Sequence, residues 1–122
     1  MEFESIVLIH RKEGRFLEEG YRIKVETCFE NIKSFYEENG LVFLVLNLEE
    51  EFTDEKFDEI FEKFCYDDFE KLDVKIYPKD NEYYPTFIVE MKNNCKDVIQ
   101  EKINNILELF MEKVVKIYCN DI

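Results

Sequence analysis

The feature that most constrains the fold is an apolar run from Leu41 to Leu48, interrupted only by Asn47. Its length and its continuous apolar character are typical of a β-strand that lies inside a sheet. A strand of this kind needs neighbours on both edges and helices packed against it. The run therefore predicts a strand near the centre of a sheet.

Two hairpins are predicted around this strand. Phe3 to His10 contains a second continuous apolar stretch, and Tyr21 to Val25 alternates apolar and charged residues, which is typical of a strand with one solvated face. These two segments form the first predicted hairpin. Val74 to Pro78 and Thr86 to Met91 form the second predicted hairpin, around a polar loop.

Two helices carry clear sequence signals. Thr53 is a good N-cap, and the acids at positions 54 and 55 suit the positive first turn of a helix. The residues that follow place one apolar stripe on this helix: Phe57, Ile60, Phe61, Phe64 and Cys65. A longer helix is predicted from about Cys95 to Tyr118, with an apolar stripe that includes Ile99, Ile103, Ile106, Leu107, Phe110, Met111, Val114 and Tyr118.

The segment 27–40 fits two structures. As a helix it would begin with a capping box at Thr27 and end at Gly40, which tolerates the left-handed conformation. As a strand, Ile32 to Glu38 would be joined to the apolar run by a tight Asn39-Gly40 turn. Because Ile32 to Glu38 alternates poorly, we predict the helix.

The predicted element order is β-β-α-β-α-β-β-α, within one domain that spans residues 1–122. This order predicts an α+β fold, in which a mixed sheet of about five strands packs with about three helices. We expect the second, third and fourth strands to be parallel and joined by right-handed helical crossovers.

The charge is strongly acidic, with 29 acidic and 16 basic side chains and a net charge of −13. Such a surface repels phosphate backbones and anionic lipids, so we expect neither a nucleic-acid partner nor a membrane. It would attract a protein partner with a basic or mixed surface. The simpler interpretation is that the charge keeps a phenylalanine-rich chain in solution.

The four cysteines, Cys28, Cys65, Cys95 and Cys119, are widely spaced and include no Cys-x-x-Cys pair. We therefore expect reduced thiols, with neither a zinc site nor a disulfide framework, and no cofactor. The first residues lack the basic start of a secretory signal, and no apolar run approaches the roughly 20 residues of a membrane span. These features predict a cytoplasmic protein.

Candidate functional residues fall into three groups. His10, the single histidine, is a residue type used in acid–base catalysis, but no nucleophile motif lies beside it, and we predict no catalytic residue. The tyrosines Tyr77, Tyr83 and Tyr84 lie near two prolines in a predicted loop, and tyrosine is favoured at binding surfaces. These rings could equally pack at the edge of the sheet.

An acidic run forms the third group: Glu49, Glu50, Glu51, Asp54, Glu55, Asp58, Glu59 and Glu62. Such carboxylates could bind Ca²⁺ or Mg²⁺, but the residue pattern of an EF-hand loop is absent, and a solvated helix face is the favoured interpretation. We therefore predict no metal ligands. The acidic run and the three tyrosines together are our predicted interaction surface.

The C-terminal helix has an apolar stripe broader than one small sheet face needs. A stripe of this width must be covered by other helices or by a second subunit. A homodimer formed through this helix is therefore a further prediction.

Three segments resemble small uncharacterised proteins of clostridia, a Firmicutes group: Phe3-Glu4-Ser5-Ile6-Val7-Leu8, the helix from Phe52 to Phe64, and Glu82 to Phe87. The resemblance implies a bacterial, cytosolic protein of a family without an assigned activity. We predict a non-catalytic interaction or regulatory protein. The alternatives are an immunity or inhibitor protein against a basic toxin or nuclease, and a small metal-dependent enzyme that uses carboxylates.

Overall fold

The structure, a computed structural model, describes residues 4–64, 66–79 and 81–119 and has an α+β architecture. Its elements, in chain order, are β1 (Glu4–Lys12), β2 (Arg15–Val25), β3 (Ile32–Glu38), β4 (Leu41–Asn47), α1 (Asp54–Lys63), α2 (Asp67–Glu70), β5 (Lys75–Pro78), β6 (Thr86–Lys92) and α3 (Lys96–Cys119). One turn of 3₁₀ helix, Phe29–Asn31, precedes β3. Phe3 and Cys65, predicted for the first strand and first helix, lie outside the described residues, as do the side chains of Tyr118 and Cys119.

The six strands form one mixed sheet in the order β2-β1-β3-β4-β6-β5. Both predicted hairpins are present, as the antiparallel pairs β1–β2 and β5–β6. The apolar run forms β4, which lies between β3 and β6 in the middle of the sheet. The α+β class and the central position of this strand are therefore confirmed.

The predicted helix at 27–40 is wrong, and the hairpin alternative is correct. Ile32–Glu38 forms β3 and pairs antiparallel with β4 through Asn39 and Gly40, whose φ angles are 55° and 83°. A tight hairpin turn of this kind needs positive φ at both central residues, and Asn-Gly adopts it readily. The poor alternation that favoured a helix comes from a shift in the pairing register between Ile32 and Ser34.

This hairpin changes which strands are neighbours and raises the strand number to six. The predicted second, third and fourth strands are now β2, β4 and β5. They run in the same direction, as predicted, but no two of them are neighbours in the sheet. The parallel pair among the described strands is β1 with β3. A helix at 27–40 would have carried the chain across the sheet, whereas the tight turn at Gly40 reverses its direction.

One face of the sheet packs against all three helices. Alternate residues of the central strands point into this core: Val42, Leu44 and Leu46 of β4, and Phe87, Val89 and Met91 of β6. The predicted stripes of α1 and α3 meet them, and the buried helix residues are Ile60, Phe64, Ile99, Ile103, Ile106, Leu107, Phe110 and Val114. The short helix α2 adds Phe69, and its Asp68 forms an ion pair with the buried Lys113 of α3.

Most of the apolar stripe of α3 is used inside the molecule, because it covers the sheet. Among the side chains of α3 that the structure describes, the exposed large apolar ones are Val98, Met111 and Val115, at 37%, 38% and 49%. The homodimer through α3 remains a prediction, but the breadth of the stripe no longer argues for it. No helix among the described residues is long and apolar enough to cross a membrane.

Candidate functional site

An open groove of about 750 Å³ runs along α3, beside the end of β2 and the loop after α2. Its lining residues are Glu26, Thr27, Leu72, Asn105, Glu108, Leu109, Met111 and Glu112. The groove continues into a depression of about 270 Å³ that shares Glu26, Asn105 and Glu108 and adds Asp97, Gln100, Glu101 and Asn104. We call this combined surface the acidic groove.

The acidic groove combines negative charge with an apolar floor. No lysine or arginine is among its lining residues in the described chain. Five carboxylates line it: Glu26, Asp97, Glu101, Glu108 and Glu112. Leu72, Leu109 and Met111 supply the apolar part. Carboxylates four residues apart on a helix repel one another by a few tenths of a kcal/mol per pair. A bound cationic group would relieve that repulsion.

Two side-chain amides of α3 hold β2 against the helix and so fix the shape of the groove. The backbone N–H of Lys24 donates to Gln100 Oε1 at 2.8 Å, and the N–H of Glu26 donates to Asn104 Oδ1 at 3.0 Å. Asn104 Nδ2 donates in turn to the carbonyl of Lys24 at 2.9 Å. A groove whose walls are already joined needs little ordering when a partner binds.

The residues of the acidic groove are not among the interaction residues predicted from the sequence. The acids at positions 97, 101, 108 and 112 follow one another at spacings of four and seven residues, which places them on one side of a helix. That spacing was a usable signal. The apolar floor gives no signal of this kind in the sequence, because Leu72 reaches α3 from a distant part of the chain.

The predicted acidic run is spread over the loop before α1 and the outer side of that helix. Thr53 is the N-cap as predicted, since its hydroxyl accepts the N–H of Lys56 at 3.2 Å. Glu59 lies 3.8 Å from the ammonium group of Lys56. The remaining members are exposed: Glu49, Glu50, Glu51, Asp54, Glu55, Asp58 and Glu62. Among the described residues, no three histidine, cysteine, aspartate or glutamate side chains are grouped closely enough to hold a metal ion.

The predicted tyrosine loop and the acidic run touch at one point. The hydroxyl of Tyr83 donates to Glu51 Oε1 at 3.1 Å, and this hydrogen bond raises the pKa of the phenol. Tyr84 packs edge-on against the Tyr83 ring, with centroids 4.9 Å apart. Tyr83 is 72% exposed, but Tyr77 lies on β5, in the sheet itself. The structure therefore joins only part of the predicted interaction surface.

His10 lies on β1, where its imidazole bonds to a neighbouring strand and so has a structural role. Its Nδ1 is 2.8 Å from Glu37 Oε1, and the ring therefore donates to this carboxylate. Its Nε2 lies against the backbone of β2, where a Cβ on Gly20 would come within 2.7 Å of it. No serine, cysteine or threonine is paired with His10 among the hydrogen bonds of the described residues. Gly20 is therefore needed for close packing of the imidazole.

A smaller cleft of about 260 Å³ lies at the ends of β5 and β6. Its charged lining residues, Glu70, Asp73, Lys75, Glu90 and Lys92, carry both signs. This mixed charge makes the cleft less selective for a charged partner than the acidic groove.

Comparison with known proteins gives a family and no function. No curated protein and no solved structure matches the chain significantly. The match to an uncharacterised family confirms that part of the sequence resemblance, while a clostridial origin stays a prediction. The chain belongs to the family of unknown function DUF6762, whose family model matches residues 1–121.

Proposed function

We propose that this protein is a non-catalytic interaction protein that binds a basic partner protein in the acidic groove. The observation that carries the proposal is the set of five carboxylates around an apolar floor, with no basic side chain lining the groove in the described chain. A groove of this composition fits a cationic segment with apolar side chains on one side. The net charge of −13 would steer such a partner toward the protein.

The dimensions favour a helical segment. Asp97 and Glu112, the outermost carboxylates on α3, are 15 residues apart, which corresponds to about 22 Å along a helix. A partner helix of about four turns would span the same length and could place lysine or arginine side chains beside each carboxylate. A cationic toxin or nuclease held inactive in this way is the sharpest form of the proposal.

The test uses a defined probe, a peptide of about 15 residues with leucines on one helical face and lysines on the other. Fluorescence anisotropy measures its dissociation constant for the full chain at low and at moderate NaCl concentration. The triple variant Glu101→Gln, Glu108→Gln, Glu112→Gln should weaken binding at least about tenfold, because it removes the charges beside the bound segment. Added salt should weaken binding by the wild-type chain.

A matched control removes the same number of charges from α1. The triple variant Glu55→Gln, Asp58→Asn, Glu62→Gln changes the net charge equally but lies in the predicted acidic run, away from the groove. It should weaken binding less than about threefold, since only distant and screened charges are lost. Equal loss of affinity in the two triple variants would refute the groove as the binding site. A peptide with glutamates in place of lysines should not bind.

A further inference from the structure

The second face of the sheet is not covered by a helix in the part of the chain that the structure describes. Five strands contribute apolar residues to it that are separate from the helix-packed core, and of these only Val45 is buried. They include Val7, Ile9, Tyr36, Phe43, Val45, Tyr77 and Ile88. We call this surface the open face. An apolar band that crosses a sheet is a common site of protein association.

Two aromatic residues of the open face form a stacked pair at its centre. Tyr36 and Phe43 stack with their ring centroids 5.0 Å apart, on the two middle strands of the sheet. The guanidinium of Arg11 lies 4.0 Å above the Tyr36 ring. Tyr77 lies on the same face at the edge strand β5, where it pairs with Ile88.

The open face differs in charge from the rest of the molecule. Strand pairing places five basic residues on it, Arg11, Arg22, Lys24, Lys75 and Lys92, and three acidic residues, Glu19, Glu38 and Glu90. The face is therefore positive by two charges in a chain of net charge −13, which leaves −15 for the remainder. Two copies that meet through their open faces would keep their acidic helix sides as far apart as possible.

The edges of the sheet are less suited to association than its face. At the C-terminal end of β2, the amides of Gln100 and Asn104 occupy the outer edge, and β5 is a four-residue strand that ends in Pro78. Short edge strands and proline both discourage pairing with another chain. Six strands of about seven residues give the open face about 600 Å². Two such faces reach about 1,200 Å², the lower limit of stable interfaces.

We propose that the open face binds the open face of a second copy, which gives a homodimer with two sheets inside and the helices outside. The Tyr36–Phe43 pair lies in the middle of the strand order, so a two-fold axis through the centre of the sheet would place it against the same pair of the second copy. The basic and acidic residues around it then surround an apolar centre, as in typical interfaces. This inference is independent of the acidic groove, which remains accessible on the outer side of each copy.

Sedimentation equilibrium on the full chain tests the dimer. We expect twice the 14.9 kDa chain mass at micromolar concentration. Ile88→Lys and Tyr77→Lys should each raise the dissociation constant at least about tenfold, because they place a charge in the apolar band. Tyr77 is 39% exposed on an edge strand, so its variant keeps the fold even if Ile88→Lys does not. Added NaCl should strengthen the dimer, which is opposite to its effect on peptide binding in the groove.

Val115→Lys is the matched control, because Val115 is 49% exposed on α3. It should leave the dimer unchanged. A monomer at about 100 µM would overturn the inference, and so would a dimer that only Val115→Lys disrupts, which would assign the interface to α3. If the monomer instead binds a glutamate-rich peptide and Tyr77→Lys alters that binding, the open face serves an acidic partner and the dimer is refuted.

Discussion

The carboxylate of Glu37 binds two groups, one from β1 and one from the turn that follows β3. One oxygen accepts from His10 at 2.8 Å, and the other accepts the backbone N–H of Gly40 at 3.1 Å. The hydrogen bond from His10, followed by that from Gly40, lowers the pKa of this carboxyl below its usual value. At the scale of single residues, the histidine is thus a structural donor that links β1 to β3.

This lowered pKa predicts a pH-dependent contribution to stability. Because the folded state holds Glu37 ionised more strongly than the unfolded state does, the stabilisation is present above the unfolded pKa and is lost as pH falls through the folded pKa. Glu37→Gln should lower the free energy of unfolding by about 1 kcal/mol near neutral pH. The difference from wild type should shrink as the pH falls below the ordinary glutamate pKa of about 4.3 and through the lowered pKa of the folded state. Urea unfolding measured across this pH range checks the expectation.

Glu49→Gln is the control for this prediction. It makes the same chemical change on an exposed loop residue, and it should alter stability by less than about 0.5 kcal/mol at every pH. A Glu37→Gln difference that stays constant with pH would show that ionisation of Glu37 is not the cause.

At the scale of elements, the Asn39-Gly40 turn joins the two middle strands of the sheet. Its two positive φ angles, 55° and 83°, let β3 fold back on β4, and this pairing fills the middle of the sheet. The same dipeptide could have ended a helix, since Gly40 would suit either role. The choice is made by β4, because its apolar residues need a second neighbouring strand opposite β6.

Gly40→Ala should destabilise the protein, because an alanine Cβ is unfavourable at a φ of 83°. We expect a loss of about 1–2 kcal/mol in the free energy of unfolding, measured by urea denaturation. Asn39→Gly is the matched control, since glycine adopts positive φ without strain, and its effect should stay within about 0.5 kcal/mol. Equal effects of the two changes would contradict the turn geometry.

At the scale of the whole molecule, a cluster of phenylalanines joins the helices to the sheet. The Phe87 ring of β6 stacks on Phe64 at 4.3 Å and meets Phe110 of α3 edge-on at 5.9 Å. Phe64 in turn stacks on Phe69 of α2 at 5.5 Å. Four elements therefore share one group of buried rings, and loss of one ring leaves a cavity between two layers.

Phe87→Ala should cost about 3–5 kcal/mol, through lost burial and the cavity that remains. That is a large part of the roughly 5–15 kcal/mol that stabilises an ordinary domain. Thermal unfolding followed by circular dichroism measures the effect. Phe16→Ala, at a 60% exposed position, should cost less than about 0.5 kcal/mol, and a comparable loss there would contradict the assignment of the core.

The sequence by itself determined the elements whose signals are local. Thr53 begins α1, alternate apolar residues build β2, and the i, i+4 stripe of α3 covers the core, because capping and periodicity depend on neighbours along the chain. The tertiary structure decided what depends on distant residues. It made Ile32–Glu38 a strand, brought Leu72 to the acidic groove and left Tyr36 and Phe43 on an open face, since strand pairing and burial join residues far apart in the chain.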